Sequence, residues 1–171
     1  RATNDNLSLQ DWLNNKIWPI EDKMDEDDVY YGSLLSCIEM IKTGTTTSSD
    51  MYFYHNGAVK AIEETHMRCL FTRCLADITN DGDSRIEEFR DLYNRYKDND
   101  LIKLSVAPHA LYTCNLEYLK KCSKLATELN LPVHMHYLEN KQEIEDIKNI
   151  YGIKPLEVLK ESGLINNKLI L

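Results

Sequence analysis

The chain opens with two segments whose apolar residues recur at helical spacing. The first follows Ser8, and its apolar residues are Leu9, Trp12, Leu13 and Ile17. The second carries the stripe Tyr30, Leu34, Ile38 and Ile41. Intervals of three and four residues predict an amphipathic helix in each segment. We expect Pro19 to end the first helix and Gly44 to take the left-handed position just beyond the second.

From residue 45 onward, short apolar segments typical of strands alternate with helical segments. The strand segments are 45–52, 67–75, 101–107, 131–136 and 169–171. Helices are predicted after the capping box Ser84-x-x-Glu87 and after the cap residue Asn115. Two short helices follow, the second starting at Pro155 and ending at Gly163. This order suits βαβ units, and the apolar strands suit a sheet covered on both faces.

Two α/β architectures fit this order: part of a (β/α)8 TIM barrel, or a doubly wound sheet. A complete barrel takes about 250 residues, so five strands in 171 residues form a partial one. Polar residues stand where four strands end, the face at which a barrel builds its active site. They are Asp50, Arg73, His109, His136 and Glu139. The sequence has no glycine-rich turn of the dinucleotide-binding type, so we favour the barrel.

Composition limits the partners and the compartment. A formal net charge of -8 and a pI near 5.1 argue against a nucleic acid or a membrane surface as partner. No stretch approaches the roughly 20 apolar residues of a membrane span. The five cysteines are an odd number without CxxC spacing, so we interpret them as reduced thiols of a cytoplasmic protein.

Both ends of the chain suggest a piece of a longer protein. The chain begins with Arg1 rather than Met, and the final run 168–171 resembles a strand cut off in its middle. A partial barrel has two open sheet edges, and open edges invite pairing with another chain. We therefore expect the chain to associate with copies of itself.

Several local signals each allow two interpretations. The His-Met-His segment 134–136 places two imidazoles on one side of a strand, where both could reach a metal. Alternatively, the two histidines fall together by chance and one is a buried, hydrogen-bonded residue. His109, between a strand and a helix, could simply cap that helix. Glu21, in a helix–helix turn, could be an ordinary solvated acid.

A set of motifs occurs here in the order and spacing of one known family. They are Pro19-Ile20-Glu21, Gly44-Thr45, Asp50-Met51-Tyr52, Thr72-Arg73, Pro108-His109, Tyr112-Thr113-Cys114 and His136-Tyr137-Leu138-Glu139. On these motifs the chain resembles the amidohydrolase superfamily, and within it the 5′-methylthioadenosine/S-adenosylhomocysteine deaminases, relatives of triazine hydrolases and guanine deaminases. The resemblance covers nearly the whole chain and is more specific to the superfamily than to one substrate.

The resemblance implies a barrel that holds one divalent metal, usually zinc, and hydrolytically removes an amino group from a purine-type ring. It implies that His136 is a metal ligand and that Glu139 moves protons among water, ring nitrogen and leaving amine. It implies that Glu21 binds ribose hydroxyls. The residues implied at the substrate end of the pocket are Arg73, Arg85 and His109. His134 becomes a structural residue, because only the second histidine of this motif is a ligand in the family.

The resemblance also implies metal ligands that this sequence lacks. A first-strand HxH pair and an eighth-strand Asp do not occur, so His136 is the one expected ligand of four. We therefore expect residues 1–171 to be a middle fragment of one metal-dependent barrel domain. It would cover about strands 2 to 5 plus the start of strand 6, and it would be inactive alone.

The expected parent is a zinc-dependent hydrolytic deaminase of an adenosine-type nucleoside, such as 5′-methylthioadenosine, S-adenosylhomocysteine or adenosine. Guanine deaminase, triazine hydrolase and cyclic amide hydrolase are the alternatives within the superfamily. Glu21 favours a ribose-bearing substrate, because a carboxylate accepts two hydrogen bonds from a diol. A non-catalytic α/β binding module with a degenerate site is the alternative from another class, since it would explain the missing ligands.

Overall fold

The computed structural model describes residues 7–171. Its helices are α1 (Leu9–Trp12), α2 (Trp18–Glu21), α3 (Glu26–Lys42), α4 (His55–Thr65), α5 (Gly82–Tyr96), α6 (Leu116–Leu129), α7 (Gln142–Tyr151) and α8 (Pro155–Glu161). Its strands are β1 (Thr47–Tyr52), β2 (Arg68–Leu75), β3 (Ile102–Leu104), β4 (Ala107–Pro108), β5 (Val133–His134) and β6 (Leu169–Ile170). A π-helical turn spans Leu13–Ile17, and a 3₁₀ turn spans Leu164–Asn166. Within this part of the chain, no helix combines the length and apolar character needed to cross a membrane.

All strand pairs are parallel, and the strands lie side by side in chain order. β1 pairs with β2 over six residues, and β2 pairs in turn with β3 and β4. Val106, just before β4, bridges to Val133 in β5, and β5 pairs with β6. A sheet that winds in one direction favours the barrel interpretation, because a doubly wound sheet reverses its strand order at a switch point.

The core lies between the sheet and the helices that connect its strands. Phe71 and Leu75 of β2 are completely buried. Phe89 and Leu92 of α5 and Leu119 of α6 are buried as well. Burial of each such side chain stabilises the fold by roughly 1.5–3 kcal/mol relative to exposure. This packing fixes the strands whose carboxyl ends carry the candidate site.

The prediction that Pro19 ends the first helix is wrong. α1 continues through the π-helical turn into α2, and Pro19 lies in the first turn of α2. The Trp18 amide donates to the Leu13 carbonyl, which is the i to i+5 bond of a π turn. Proline is tolerated at the first positions of a helical segment, and Pro19 directly follows the π turn. The chain therefore stays helical as far as Glu21.

Helix α3 buries a different face from the one that its apolar stripe predicts. Val29 and Cys37 are buried, whereas Ile38 is 44% exposed and Ile41 is 51% exposed. α3 packs against α4, and the sequence pattern did not identify the residues of that helix. The packing partner therefore decides which face of α3 is buried.

The ends of the helices agree with the sequence in two places and differ in a third. Gly44 has φ +85°, and the Asn115 side chain accepts from an amide in the first turn of α6; both predictions are confirmed. The predicted capping box at Ser84 is wrong. Helix α5 begins at Gly82, and the Ser84 hydroxyl instead donates to the Asp81 carbonyl.

Asp50 differs from its expected position at a strand end, whereas His109 and His136 lie where strands end. Asp50 lies within β1, opposite Phe71, and burial raises the pKa of its carboxyl. It lines a cavity between β1 and α3 and does not line the cavities of the candidate site described below. His109 directly follows β4, and His136 lies two residues beyond β5.

Candidate active site

A small cavity opens at the carboxyl ends of the strands. Its volume is about 200 Å³, and its polar lining includes Glu21 from α2, His109 after β4 and His136 after β5. Its walls are mainly apolar side chains, among them Leu13 and Ile17 of the π turn. Three residues predicted from separate motifs thus meet in one place. A concave, mostly apolar site with few polar groups is typical of small-molecule pockets.

A second, larger cavity of about 760 Å³ also has Glu21 in its wall. Arg73 and Arg85 line it, together with the aromatic rings of Trp18 and Phe53. Trp18 and Phe53 line the smaller cavity as well. Glu21 therefore lies in the wall of both cavities, between the histidine end and the arginine end.

Glu21 is held by a tyrosine from the neighbouring strand. The Tyr52 hydroxyl donates to Glu21 Oε1 at 2.6 Å. Burial and the Glu21 carboxyl both raise the pKa of Tyr52, so this phenol remains a hydrogen-bond donor. This contact uses one oxygen of Glu21, and a carboxylate can accept hydrogen bonds at both oxygens. Position and chemistry together suit the binding of a hydroxyl group.

The two arginines face the same aromatic ring. The guanidinium carbon of Arg73 lies 5.7 Å from the Phe53 ring centroid, and that of Arg85 lies 5.4 Å from it. Arg73 is 8% exposed and donates from Nε to Glu88 at 2.7 Å. Arg85 pairs with Asp81 at 2.7 Å, but its Nη1 is buried without a hydrogen-bond partner among the described residues. This end of the cavity therefore carries two guanidinium groups among carboxylates, since Asp22, Glu26 and Glu88 also line it.

The two histidines at the other end lie close together. The ring centroids of His109 and His136 are 5.2 Å apart, and the His136 amide donates to the His109 carbonyl at 2.9 Å. His109 Nδ1 lies 3.0 Å from the Thr113 hydroxyl. Burial lowers the pKa of His109 to about 4, with further contributions from His136 and Arg85. His109 is therefore a neutral imidazole at pH 7.

His134 points to a different neighbour. Its Nδ1 lies 3.4 Å from the hydroxyl of Ser49 on β1, and its ring centroid is 6.5 Å from that of His136. His134 lines neither of the two cavities. Across residues 7–171, no group of three or more potential metal ligands comes together. The residues present fit part of a zinc site, because His136 is an exposed imidazole at the histidine end of the small cavity.

Glu139 lines neither of these cavities. It is exposed, and its amide donates to Glu143 Oε2 at 2.8 Å. Its charge reaches the nearby Tyr112, whose pKa is raised to about 12 first by burial and then by Glu139 and Glu143. The Tyr112 ring in turn contacts His109, with centroids 5.8 Å apart. Glu139 therefore belongs to the same neighbourhood.

Sequence reasoning assigned no site role to Tyr52, Phe53 or Glu143. Tyr52 ends the motif Asp50-Met51-Tyr52, but its contact with Glu21 joins residues 31 positions apart. Phe53 follows that motif directly. Glu143 offers no signal in the sequence, since an acid in a first helical turn is commonplace.

The sequence matches the profile of the amidohydrolase family over residues 1–171. It is 44% identical over 167 residues to a 5-methylthioadenosine/S-adenosylhomocysteine deaminase of Thermoanaerobacter pseudethanolicus, covering 95% of this chain and 38% of the relative. It is 39% identical over 172 residues to a 5′-deoxyadenosine deaminase of Methanocaldococcus jannaschii, covering 98% of this chain and 41% of the relative.

The fold matches a solved structure closely. An adenosine deaminase from Xanthomonas campestris, crystallised with bound zinc, superposes with a TM-score of 0.91 at 32% identity. The match covers 97% of this chain and 39% of that chain. The chain thus spans roughly two fifths of the length of the curated relatives it matches. With a family profile matched along its whole length and this α/β architecture, the chain belongs to the amidohydrolase family.

Proposed function

We propose that this chain supplies the substrate-binding part, one metal ligand and the proton-transfer acid of a zinc-dependent hydrolytic deaminase acting on an adenosine-type nucleoside. The observation that supports this most is the pair of adjoining cavities with Glu21 in the wall of both. One end offers imidazoles, the middle a carboxylate and the other end guanidinium groups. A purine ring, a ribose and a 5′ substituent follow one another in the same order.

The histidine end suits the reacting part of the ring. His136 would hold a zinc ion together with ligands from elsewhere in the complete protein, and zinc, when bound, lowers the pKa of a water toward neutrality. Glu139 accepts a proton from water and passes it to the ring nitrogen, and it then takes a second proton from the hydroxyl added to the ring carbon and delivers it to the departing amine. The ring carbon gains a C–O bond and loses its C–N bond, so the nitrogen leaves as ammonia.

The arginine end suits a polar 5′ substituent such as an amino-acid group, because guanidinium groups stand there beside the carboxylates of Asp22, Glu26 and Glu88. Among the described residues, Nη1 of Arg85 is buried without a hydrogen-bond partner, and Arg73 and Arg85 both face Phe53. Guanidinium groups bind carboxylates with strong, charge-assisted hydrogen bonds. We therefore propose that S-adenosylhomocysteine, which carries a carboxylate at this end, is a substrate besides the uncharged 5′-methylthioadenosine.

An ammonia-release assay of the complete protein that contains this chain tests the proposal. The substrates to compare are adenosine, 5′-methylthioadenosine, S-adenosylhomocysteine, guanine and a triazine. We expect turnover of the ribose-bearing compounds and little of guanine or the triazine. Turnover confined to a ring without ribose would contradict the substrate assignment. Nucleoside binding without ammonia release would support the non-catalytic binding module instead.

A further inference from the structure

The loop that carries Glu139 is bounded by a buried acid with no role in the reaction so far. Glu143, in the first turn of α7, is only 2% exposed. Its Oε1 is buried without a hydrogen-bond partner in the part of the chain that the structure describes. A buried polar oxygen that lacks a partner is costly. Such a cost suggests that the other oxygen has a function.

The other carboxyl oxygen fixes the backbone of Glu139. Oε2 of Glu143 accepts from the Glu139 amide at 2.8 Å. The Glu143 amide donates to the Asn140 side-chain oxygen at 3.0 Å. The two bonds run in opposite directions across the same short turn. The turn between the strand β5 and the helix α7 is thereby closed at the position of Glu139.

Backbone strain lies immediately before this bond. Leu138 has φ +52°, a left-handed conformation that is unfavourable for a residue with a branched side chain. Strain of this kind persists only where the surrounding structure imposes it. Here His136 precedes the strained residue, and the bonded Glu139 amide follows it. The backbone conformation of Leu138 sets the direction in which the Glu139 side chain projects from the loop.

We propose that Glu143 is a positioning residue, which holds the Glu139 backbone so that the Glu139 carboxyl is aimed at the reacting amine. This inference rests on the proposed function of Glu139 in proton transfer. Glu143 would act only through Glu139, since it is buried and lines neither cavity.

The test is Glu143→Met in the complete, zinc-loaded protein. Methionine keeps the length of the side chain and suits a buried site, but it offers no carboxyl acceptor. We expect kcat to fall roughly 10- to 100-fold, because a small misplacement of a reacting group lowers the rate by about this much. KM should stay within about twofold and zinc content should be unchanged, because neither depends on this bond. Glu143→Gln keeps an acceptor oxygen and should restore most of kcat.

Two control variants separate positioning from general effects on the helix. Glu145→Met removes an exposed acid from the same end of α7 and should leave kcat unchanged. Asn140→Ala removes the companion bond of the turn and should lower stability more than kcat. A normal kcat in Glu143→Met, or an equal loss of kcat in Asn140→Ala, would overturn the proposal.

Two further measurements keep the test decisive. In the unaltered protein, the Glu139 amide should exchange with deuterium more slowly than the amides of exposed neighbours; unprotected exchange would overturn the proposal even if Glu143→Met fails to fold. Glu139→Gln is measured in parallel. If it is inactive while Glu143→Met is normal, the positioning role fails and the proposed function stands. If Glu139→Gln turns over normally, both fail.

Discussion

Glu139 and His136 are three residues apart, yet their proposed chemistry can be separated by substitution. Glu139→Gln keeps the shape of the side chain and removes the transferable proton. General acid–base groups contribute about 10²–10⁴-fold to rate, and this acid serves several proton transfers, so we expect a loss near the upper end. Zinc content should stay near that of the unaltered protein. Steady-state kinetics with metal analysis measures both quantities.

His136→Ala is the comparison for this prediction, since it should lose both zinc and activity. If Glu139 were only a solvated acid near the start of α7, Gln would change stability by about 1 kcal/mol or less and turnover hardly at all. Near-normal turnover of Glu139→Gln would therefore rule out proton transfer by this residue.

Glu21 should act on substrate binding rather than on the chemical step. Glu21→Gln removes a charged acceptor, and hydrogen bonds to charged groups contribute about 1.5–3 kcal/mol. We expect KM for a nucleoside to rise by roughly 10- to 100-fold and kcat to change little. The matched control is Tyr52→Phe, which removes only the hydroxyl that donates to Glu21. An equal effect on a nucleoside and on its ribose-free base would contradict the ribose assignment.

At the scale of elements, the contact between α3 and α4 depends on one glycine. A Cβ at Gly57 would lie 2.2 Å from the Glu26 carbonyl, and the Gly57 amide donates to the Glu26 side chain at 2.6 Å. Gly57→Ala forces the two helices apart, and overpacking of this kind costs typically about 1–3 kcal/mol. We expect a lower denaturation midpoint. Gly32→Ala on α3 meets no atom within 4 Å and serves as the control.

If the two alanine variants were equally stable, α3 and α4 would be able to move apart without loss of folding free energy. A higher stability of Gly57→Ala would contradict the close approach of α4 to α3 at Gly57.

The elements also show what spacing in the sequence can predict and what it cannot. The alternation of strands and helices and the Asn115 cap are local properties, so they could be predicted. The buried face of α3 could not, because it depends on α4, which packs against it from elsewhere in the chain. The continuation through Pro19 depends on a π turn, for which the apolar spacing gives no signal.

For the candidate site the same division holds. Parallel strands bring their carboxyl ends to one edge, which accounts for the meeting of His109 and His136. The contact of Tyr52 with Glu21 and the placing of two guanidinium groups beside Phe53 depend on side-chain directions across distant segments. No periodicity encodes those directions.

At the scale of the whole molecule, two neighbouring surfaces favour association between copies of the 171-residue chain. Among the described strands, β1 pairs only with β2, so its other edge is open. The adjacent helix α3 exposes a row of apolar residues: Tyr31, Leu35, Ile38 and Ile41. Open edges and apolar patches both promote pairing with another chain. We expect dimers or larger species in sedimentation experiments.

The substitution pair Leu35→Glu and Ile38→Lys should weaken this association without affecting the core, because both side chains are exposed by 44% or more. Glu39→Gln, on the same helix, changes charge but not the apolar row. A single monomeric species at high concentration would contradict the prediction.

The five buried cysteines have a practical consequence: their chemical labelling can report local unfolding of the molecule. All five are free and buried, and burial raises the pKa of Cys69 to about 12 and that of Cys114 to about 11. The thiolate is the reactive form, so an alkylating reagent at neutral pH should label the folded chain very slowly. The thiols lie on α3, on β2, before α6 and on α6. The order in which they are labelled should therefore show the order in which these regions unfold. Rapid modification of all five under native conditions would show instead that the core opens readily as one unit.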